Sequence, residues 1–527
     1  MSAILSADAL NDFIAPSVEC IKPVESLPEP QSNELTVGIE GTMPDTRTAA
    51  QISLTDCLAC SGCVTSSEAV LVSMQSHNEV LSALQQFPGK KFVALLSPQS
   101  RAALAVALQT TEQTVTNMVT ELLTKSLGEK QFEMVVDTNP FRQLSLHYAS
   151  EEVLDSLDDP ERKRPILTSA CPGFICYLES THPILIPHLS TLKSPQAIGG
   201  TFLKALMIGE GRATSPDDVY IVSIMPCFDK KLEGARGELT STAWQVNGAD
   251  GTSVRDVDCV ITTRELLSLA EAKGIDFRSL SRSAQPTPAI SSNPTIQKFL
   301  TTRLTNGAAD NGTSGGNLTT ILSSLLARYP GSTVTIQPGR NIDTRDYLVV
   351  SPTGETIAKL SRCYGFRNIQ NLVRKLKPAP TRVLPIFGAK RVAATPAAAR
   401  RVAAKKAGSG EDKSVYVEVM ACPGGCTNGG GQIKWDDEAI WTALGLDKPE
   451  SQRDLLARVD EAYYSASEET KEREYGIQAV VGEFLKATGL EEDKLVRTGY
   501  RQVANDIGNR LSEKDALAVA SRNDGGW

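Results

Sequence analysis

Val415-Tyr416-Val417-Glu418-Val419-Met420-Ala421-Cys422-Pro423-Gly424-Gly425-Cys426-Thr427-Asn428-Gly429-Gly430-Gly431-Gln432 is the stretch from which the rest of the chain can be read. An alternating, β-branched run enters a Cys-Pro-Gly-Gly-Cys turn, and three glycines follow. Cys422 and Cys426 are four positions apart with only Pro and Gly between them. Such a turn can aim two thiolates and several bare backbone N–H groups at one point. An iron–sulfur cluster needs both, sulfur ligands on its iron and hydrogen-bond donors to its sulfides. A disulfide hairpin is the alternative, and it asks for an oxidising compartment. The N-terminus, Met1-Ser2-Ala3-Ile4-Leu5-Ser6-Ala7-Asp8, lacks a basic n-region and reads as neither signal nor transit peptide. The eleven cysteines are therefore expected to be reduced, with some of them metal-bound.

Two more cysteines terminate predicted strands. Residues 165–168 form a short apolar run that ends at Ser169-Ala170-Cys171-Pro172-Gly173, and residues 219–224 end at Met225-Pro226-Cys227. Around them the pattern is α/β: a strand at 91–96, a helix start at Ser97-Pro98-Gln99-Ser100, and a strand at 132–136. A partly broken helix is expected over 174–189, with further strands at 257–261 and 347–350. In parallel α/β sheets, ligands sit beyond the carboxyl ends of strands. Cys171, Cys227 and Cys422 occupy three such ends, Cys426 completes a set of four, and four thiolates are what a cubane takes.

A second set lies near the N-terminus, in Asp56-Cys57-Leu58-Ala59-Cys60-Ser61-Gly62-Cys63. C-x2-C-x2-C is the spacing by which one tight loop holds three corners of a 4Fe-4S cubane. The fourth Cys followed by Pro, found in two-cluster ferredoxins, is replaced by Ser67 and Glu68. The missing ligand must come from elsewhere, and Cys20 is the nearest candidate. A four-cysteine zinc site is the alternative, though zinc usually takes paired knuckles. Cys176, Cys259 and Cys363 sit in apolar or helical contexts and read as buried small hydrophobes.

A length of 527 residues implies two or three domains, and a net charge of −8 argues against a dedicated nucleic-acid binder. No apolar run is long enough to span a bilayer. Residues 279–295 and 377–413 read as linkers. The second carries Arg400, Arg401, Lys405 and Lys406, read as a solvated insertion with a nuclear signal as the alternative. Asn311-Gly312-Thr313-Ser314-Gly315-Gly316 precedes a predicted helix at 318–326 and lacks the G-K-[ST] of a P-loop. The last residue, Trp527, reads as a partner's anchor or as incidental.

Three segments resemble the signatures of the iron-only hydrogenases: Thr168-Ser169-Ala170-Cys171-Pro172-Gly173, Met225-Pro226-Cys227-Phe228-Asp229-Lys230-Lys231-Leu232-Glu233, and residues 418–426. The likeness extends through Ile186-Pro187-His188-Leu189 and Lys193-Ser194-Pro195-Gln196, and covers about residues 90–450. It implies a two-lobed α/β body with parallel sheets flanked by helices. It also departs from the pattern. Ala170 replaces the proton-delivering Cys, Ile433 replaces the Pro that ends the glycine-rich signature, and the additional ferredoxin domains are missing. Lys230 and Glu233, which match residues flanking the diiron site, persist.

Together with the Glu19-Cys20-Ile21-Lys22-Pro23 context, the pattern is similar to the eukaryotic hydrogenase-like family of cytosolic iron–sulfur assembly factors (the Nar, or prelamin-recognition-factor-like, family). That resemblance implies a non-catalytic protein with two 4Fe-4S clusters, one on Cys20, Cys57, Cys60 and Cys63, the other on Cys171, Cys227, Cys422 and Cys426. It implies delivery of clusters from an early scaffold to a late targeting complex and its cytosolic and nuclear apoproteins. It also implies docking on that complex's WD40-type scaffold through Trp527, although Gly525-Gly526 departs from the usual neighbours. No nucleic acid and no membrane are expected as partners, and the location is the cytoplasm, with the nucleus as an addition. The expected organisation is an N-terminal cluster segment (1–89), a body (90–376 and 414–450), the basic linker (377–413) and a helical C-terminal region (451–527). An iron–sulfur redox enzyme of iron-only hydrogenase type is the alternative function, and a zinc-stabilised adaptor a third.

Overall fold

The computed structural model describes residues 74–168, 170–244, 253–283, 289–301, 312–377, 413–465 and 476–501. Cys20, Cys57, Cys60, Cys63, nearly all of the basic segment and Trp527 lie outside the described residues, as do the assignments made for them. The strands are β1 (Lys91–Leu96), β2 (Met134–Asp137), β3 (Ile166–Leu167), β4 (Val219–Met225), β5 (Cys259–Thr262), β6 (Thr333–Pro338), β7 (Thr344–Val350), β8 (Thr356–Tyr364) and β9 (Ser414–Met420). They form two sheets, one in the order β2-β1-β4-β5 and one in the order β3-β9-β8-β7-β6.

The first sheet is parallel throughout. Its strands are apolar without alternation because both faces are covered. Phe92, Ala94 and Leu96 of β1 pack into one core, and Val93 and Leu95 into another. In the second sheet β3, β9 and β8 run parallel, and β7 and β6 add an antiparallel hairpin at the edge. β6 is almost wholly exposed, so it lacked the apolar run that marks a strand.

The helices Asn139–Asp158, Pro195–Gly209 and Asn317–Arg328 share one core with residues of both sheets, including Val93, Ile221, Leu360 and Tyr416. Pro98–Ala107 and Gln452–Tyr464 cover the far face of the first sheet, and Pro172–Thr181 and Phe366–Leu376 that of the second. Two helix starts follow the sequence rule of a capping Ser before Pro: Ser97 accepts from the amide of Ser100 at 3.3 Å and Ser194 from that of Ala197 at 3.4 Å. The expected helix at 174–189 stops at Thr181 and continues as a 3-10 turn over Pro183–His188, since Pro183 and Pro187 cannot donate to a regular helix.

The C-terminal helices belong to this body. Leu455, Val459 and Tyr463 pack with Ala102 and Ala103 of Pro98–Ala107, and Phe484 stacks on Phe202 with centroids 4.1 Å apart. Leu280 and Ile290, in the stretch read as a linker, are buried as well. Among the described residues no helix is long and apolar enough to cross a membrane.

Candidate iron–sulfur site

β3, β4 and β9 each run into one of the predicted cysteines. Cys171 is the N-cap of the helix Pro172–Thr181. Cys227 stands between β4 and the helix Asp229–Gly234, and Cys422 follows β9 by two residues. Cys426 opens a 3-10 turn, Cys426–Asn428. β3 and β9 are neighbours in the second sheet whereas β4 belongs to the first, so the four cysteines come from both lobes. Cys171 and Cys422 are buried, and Cys227 and Cys426 keep partial exposure.

Two glycines make this approach possible. Gly425 has a φ of 107°, and a Cβ there would run into Oγ1 of Thr313. Gly429 lies against the carbonyl of Pro226, where a Cβ would overlap it. The neighbouring Gly431 N–H donates to that carbonyl at 2.9 Å. The glycine run thus lays the third signature's backbone directly on the residue before Cys227.

Backbone and hydroxyl donors face the sulfurs. The Ala421 N–H donates to Sγ of Cys171 at 3.4 Å, and the Phe174 amide also bonds it. Ser314 accepts the Cys426 N–H at 3.2 Å, and its hydroxyl bonds the Cys426 thiol. The glycine-rich loop is therefore present at the site, but through the side chain of Ser314. Glu418 of β9 fixes that loop by accepting from the Leu318 N–H at 2.9 Å.

Burial pushes every one of these thiols up. Cys171 rises to about 12, through burial first and the nearby Asp229 carboxylate second. Cys227 and Cys422 rise well above the ordinary thiol, through burial and through the charges that neighbouring cysteines would carry. Cys426 rises less, because Ser314 and Lys230 favour its thiolate. Burial opposes the charge of Lys230, yet Glu233, at 2.5 Å, and the thiols of Cys227 and Cys426 hold its ammonium above the usual value. Four thiols whose ionisation each opposes the others' are matched to a cationic centre, since a coordinating thiol is deprotonated outright. Among the described residues no three His, Cys, Asp or Glu side chains gather around a single metal-ion position. Four cysteine sulfurs, with N–H and O–H donors on those of Cys171 and Cys426, make a donor set that fits a cubane.

Beside Cys426 a cavity of about 540 Å³, its open mouth included, is lined by Ala170, Met225, Met420, Gln196 and Lys230 among others. The sequence marks the loop that holds Ser314 and the segment that holds Gln196, but no spacing singles out either side chain, or the Ala421 amide, as part of the site. Cys259 and Cys363 are buried as expected, and Cys176 is only half-buried.

Residues 90–430 match the family described as iron only hydrogenase large subunit, C-terminal domain. Over the whole length of both chains the sequence is 44% identical to the cytosolic Fe-S cluster assembly factor NAR1 of Chaetomium globosum and 45% identical to that of Sclerotinia sclerotiorum. The fold is similar to that of the FeFe-hydrogenase HydA1 from Chlamydomonas reinhardtii, with a TM-score of 0.56 and 23% identity, over 81% of this chain and 99% of the other.

Proposed function

The chain belongs to the family of cytosolic Fe-S cluster assembly factors, on the fold of the iron-only hydrogenases, and on that premise we propose that it carries two 4Fe-4S clusters and relays clusters rather than turning over hydrogen. Its general role is in iron–sulfur cluster assembly, in the cytoplasm. Cys171, Cys227, Cys422 and Cys426 would hold the interior cluster, and Cys20, Cys57, Cys60 and Cys63 the N-terminal one. When bound, such a cluster supplies a one-electron redox couple and iron and sulfide in exchangeable form. The chain's own contribution at the interior site is to exclude water, offer N–H and O–H donors to sulfur, and balance charge with Lys230. The N-terminal set, three of whose cysteines fall within seven residues of sequence, is the one suited to exchange.

The observation that carries the reading is the approach of four cysteines from two sheets, with donors from Ala421 and Phe174 on the Cys171 sulfur and from Ser314 on that of Cys426. Partners are an upstream scaffold and a late targeting complex, the latter reached through Trp527. The buried Lys230–Glu233 pair beside Cys227 favours the second reading, a hydrogenase-type redox enzyme. Against it stands Ala170, whose methyl lines the cavity beside Cys426 and has no proton to give.

The test is cellular. Depleting the protein should lower the activity of a cytosolic 4Fe-4S enzyme and spare a mitochondrial one. The wild-type chain should restore the loss and Cys60→Ala should not. Equal loss in both compartments would contradict the assignment, and hydrogen evolution from reduced viologen would move it to the second reading.

A further inference from the structure

We propose that the C-terminal strap, residues 496–501, is a latch on the interior cysteine site: seated, it shields Cys171, and lifted, it opens a route to it. This rests on the reading of Cys171 as a cluster ligand.

The strap lies antiparallel to residues 191–193. Lys193 N–H donates to the Val496 carbonyl at 2.7 Å, and Thr498 N–H to that of Thr191 at 2.8 Å. The Tyr500 hydroxyl donates to the Ser190 carbonyl. Arg501 then closes an ionic chain. Its N–H donates to Glu179 at 2.8 Å and its guanidinium pairs with Glu238. Arg236 grips both oxygens of Glu179, at 2.9 and 2.6 Å, and lies 5.8 Å from the Tyr500 ring.

The placement of these partners gives the chain its meaning. Glu179 is on the helix that Cys171 caps. Arg236 and Glu238 come directly after the helix Asp229–Gly234, which follows Cys227. Arg501 therefore ties together two segments that carry two of the four cysteines. Under the strap lies a cavity of about 320 Å³, its open mouth included. Thr498 and Tyr500 form part of its wall, and Pro172, next to Cys171, and Glu233, which holds Lys230, form another part.

The strap is also built to lift. Leu495 and Val496 are fully buried and anchor its root. Beyond them Arg497, Gly499 and Arg501 are exposed and Thr498 is half-buried, so Tyr500, half-buried against the hydrophobic core that includes Cys171, is the main apolar contact that release must break. Segments held by a few polar bonds and little core open locally while the rest stays folded.

The test uses the full chain carrying Tyr500→Ala with Arg501→Ala, and the milder pair Tyr500→Phe with Arg501→Gln in case the first fails to fold. In the cluster-free protein, iodoacetamide labelling of Cys171, read by mass spectrometry, should be about ten-fold faster than in wild type, without a lowered melting temperature. In the reconstituted protein the slower-released iron should pass to an Fe(II) chelator faster by a similar factor. Unchanged labelling, with amide exchange at Thr498 showing the strap released, overturns the latch. Full iron content in Cys422→Ala would break the ligand reading instead, and leaves the labelling result standing.

Discussion

The backbone N–H of Ala421 donates to Sγ of Cys171 at 3.4 Å, joining the end of β9 to the end of β3 across 250 residues of sequence. That bond exists because β3 and β9 are parallel neighbours, pairing Ile166 with Tyr416 and Leu167 with Val417, so that the chain leaving β3 runs beside the last residues of β9. N–H donors to a cluster sulfur stabilise its more reduced, more negative state. Ala421→Pro removes the donor. The midpoint potential of the interior cluster should fall, on the order of tens of mV, in an EPR-monitored redox titration. A potential equal to wild type would mean that this amide does not face the cluster.

The two cysteine sets should separate under mutation. Cys227→Ala or Cys422→Ala leaves the interior site one thiolate short, and should cost about half of the iron and destabilise the body. Cys60→Ala should also cost about half of the iron but leave the body's melting temperature in place. Loss of all iron in both classes of variant would contradict two independent sites.

Two glycines in different surroundings should behave oppositely. At Gly429 a Cβ would overlap the Pro226 carbonyl, next to Cys227. Gly429→Ala should cost about 1–3 kcal/mol in urea unfolding, as overpacking does, and slow iron uptake. Gly482, within the helix Ile477–Thr488, has nothing within 4 Å of a Cβ. Gly482→Ala should stabilise by about 0.5–1 kcal/mol.

Acid should weaken the fold through His188. Burial holds its imidazole below the ordinary value, and Nδ1 stands 3.0 Å from the Pro165 carbonyl. The unfolded chain then takes up the proton first as pH falls. Stability is complete above the unfolded value of about 6.5 and is lost as pH falls from there through the folded value. His77, also lowered by burial, adds in the same direction. The melting temperature of His188→Gln should fall less than that of wild type between pH 7 and 5.5, and parallel curves would assign the acid sensitivity elsewhere.

Much of the body could be read from the chain because burial leaves a mark. β1 and β4 are apolar on both faces, and strands that end in Cys171, Cys227 and Cys422 announce a site beyond a sheet's edge. Reading failed where a residue's role depends on a distant neighbour. Ser314 reaches Cys426 over 112 residues, and nothing in its own loop signals that. β6 is exposed and polar, outside the strands expected from the sequence, and is a strand because β7 pairs with it. The C-terminal helices carry only a narrow apolar stripe, Leu455, Val459 and Tyr463, in a charged sequence, which does not tell what they pack against.

Iron and acid-labile sulfide per chain, with EPR of the reduced and anaerobically reconstituted protein, is the most direct test of the central claim. About eight of each, with signals from two cubanes and no diiron signature, is the predicted result. About four would leave only one of the two cysteine sets as a cluster site, and stoichiometric zinc without sulfide would contradict the iron–sulfur account altogether.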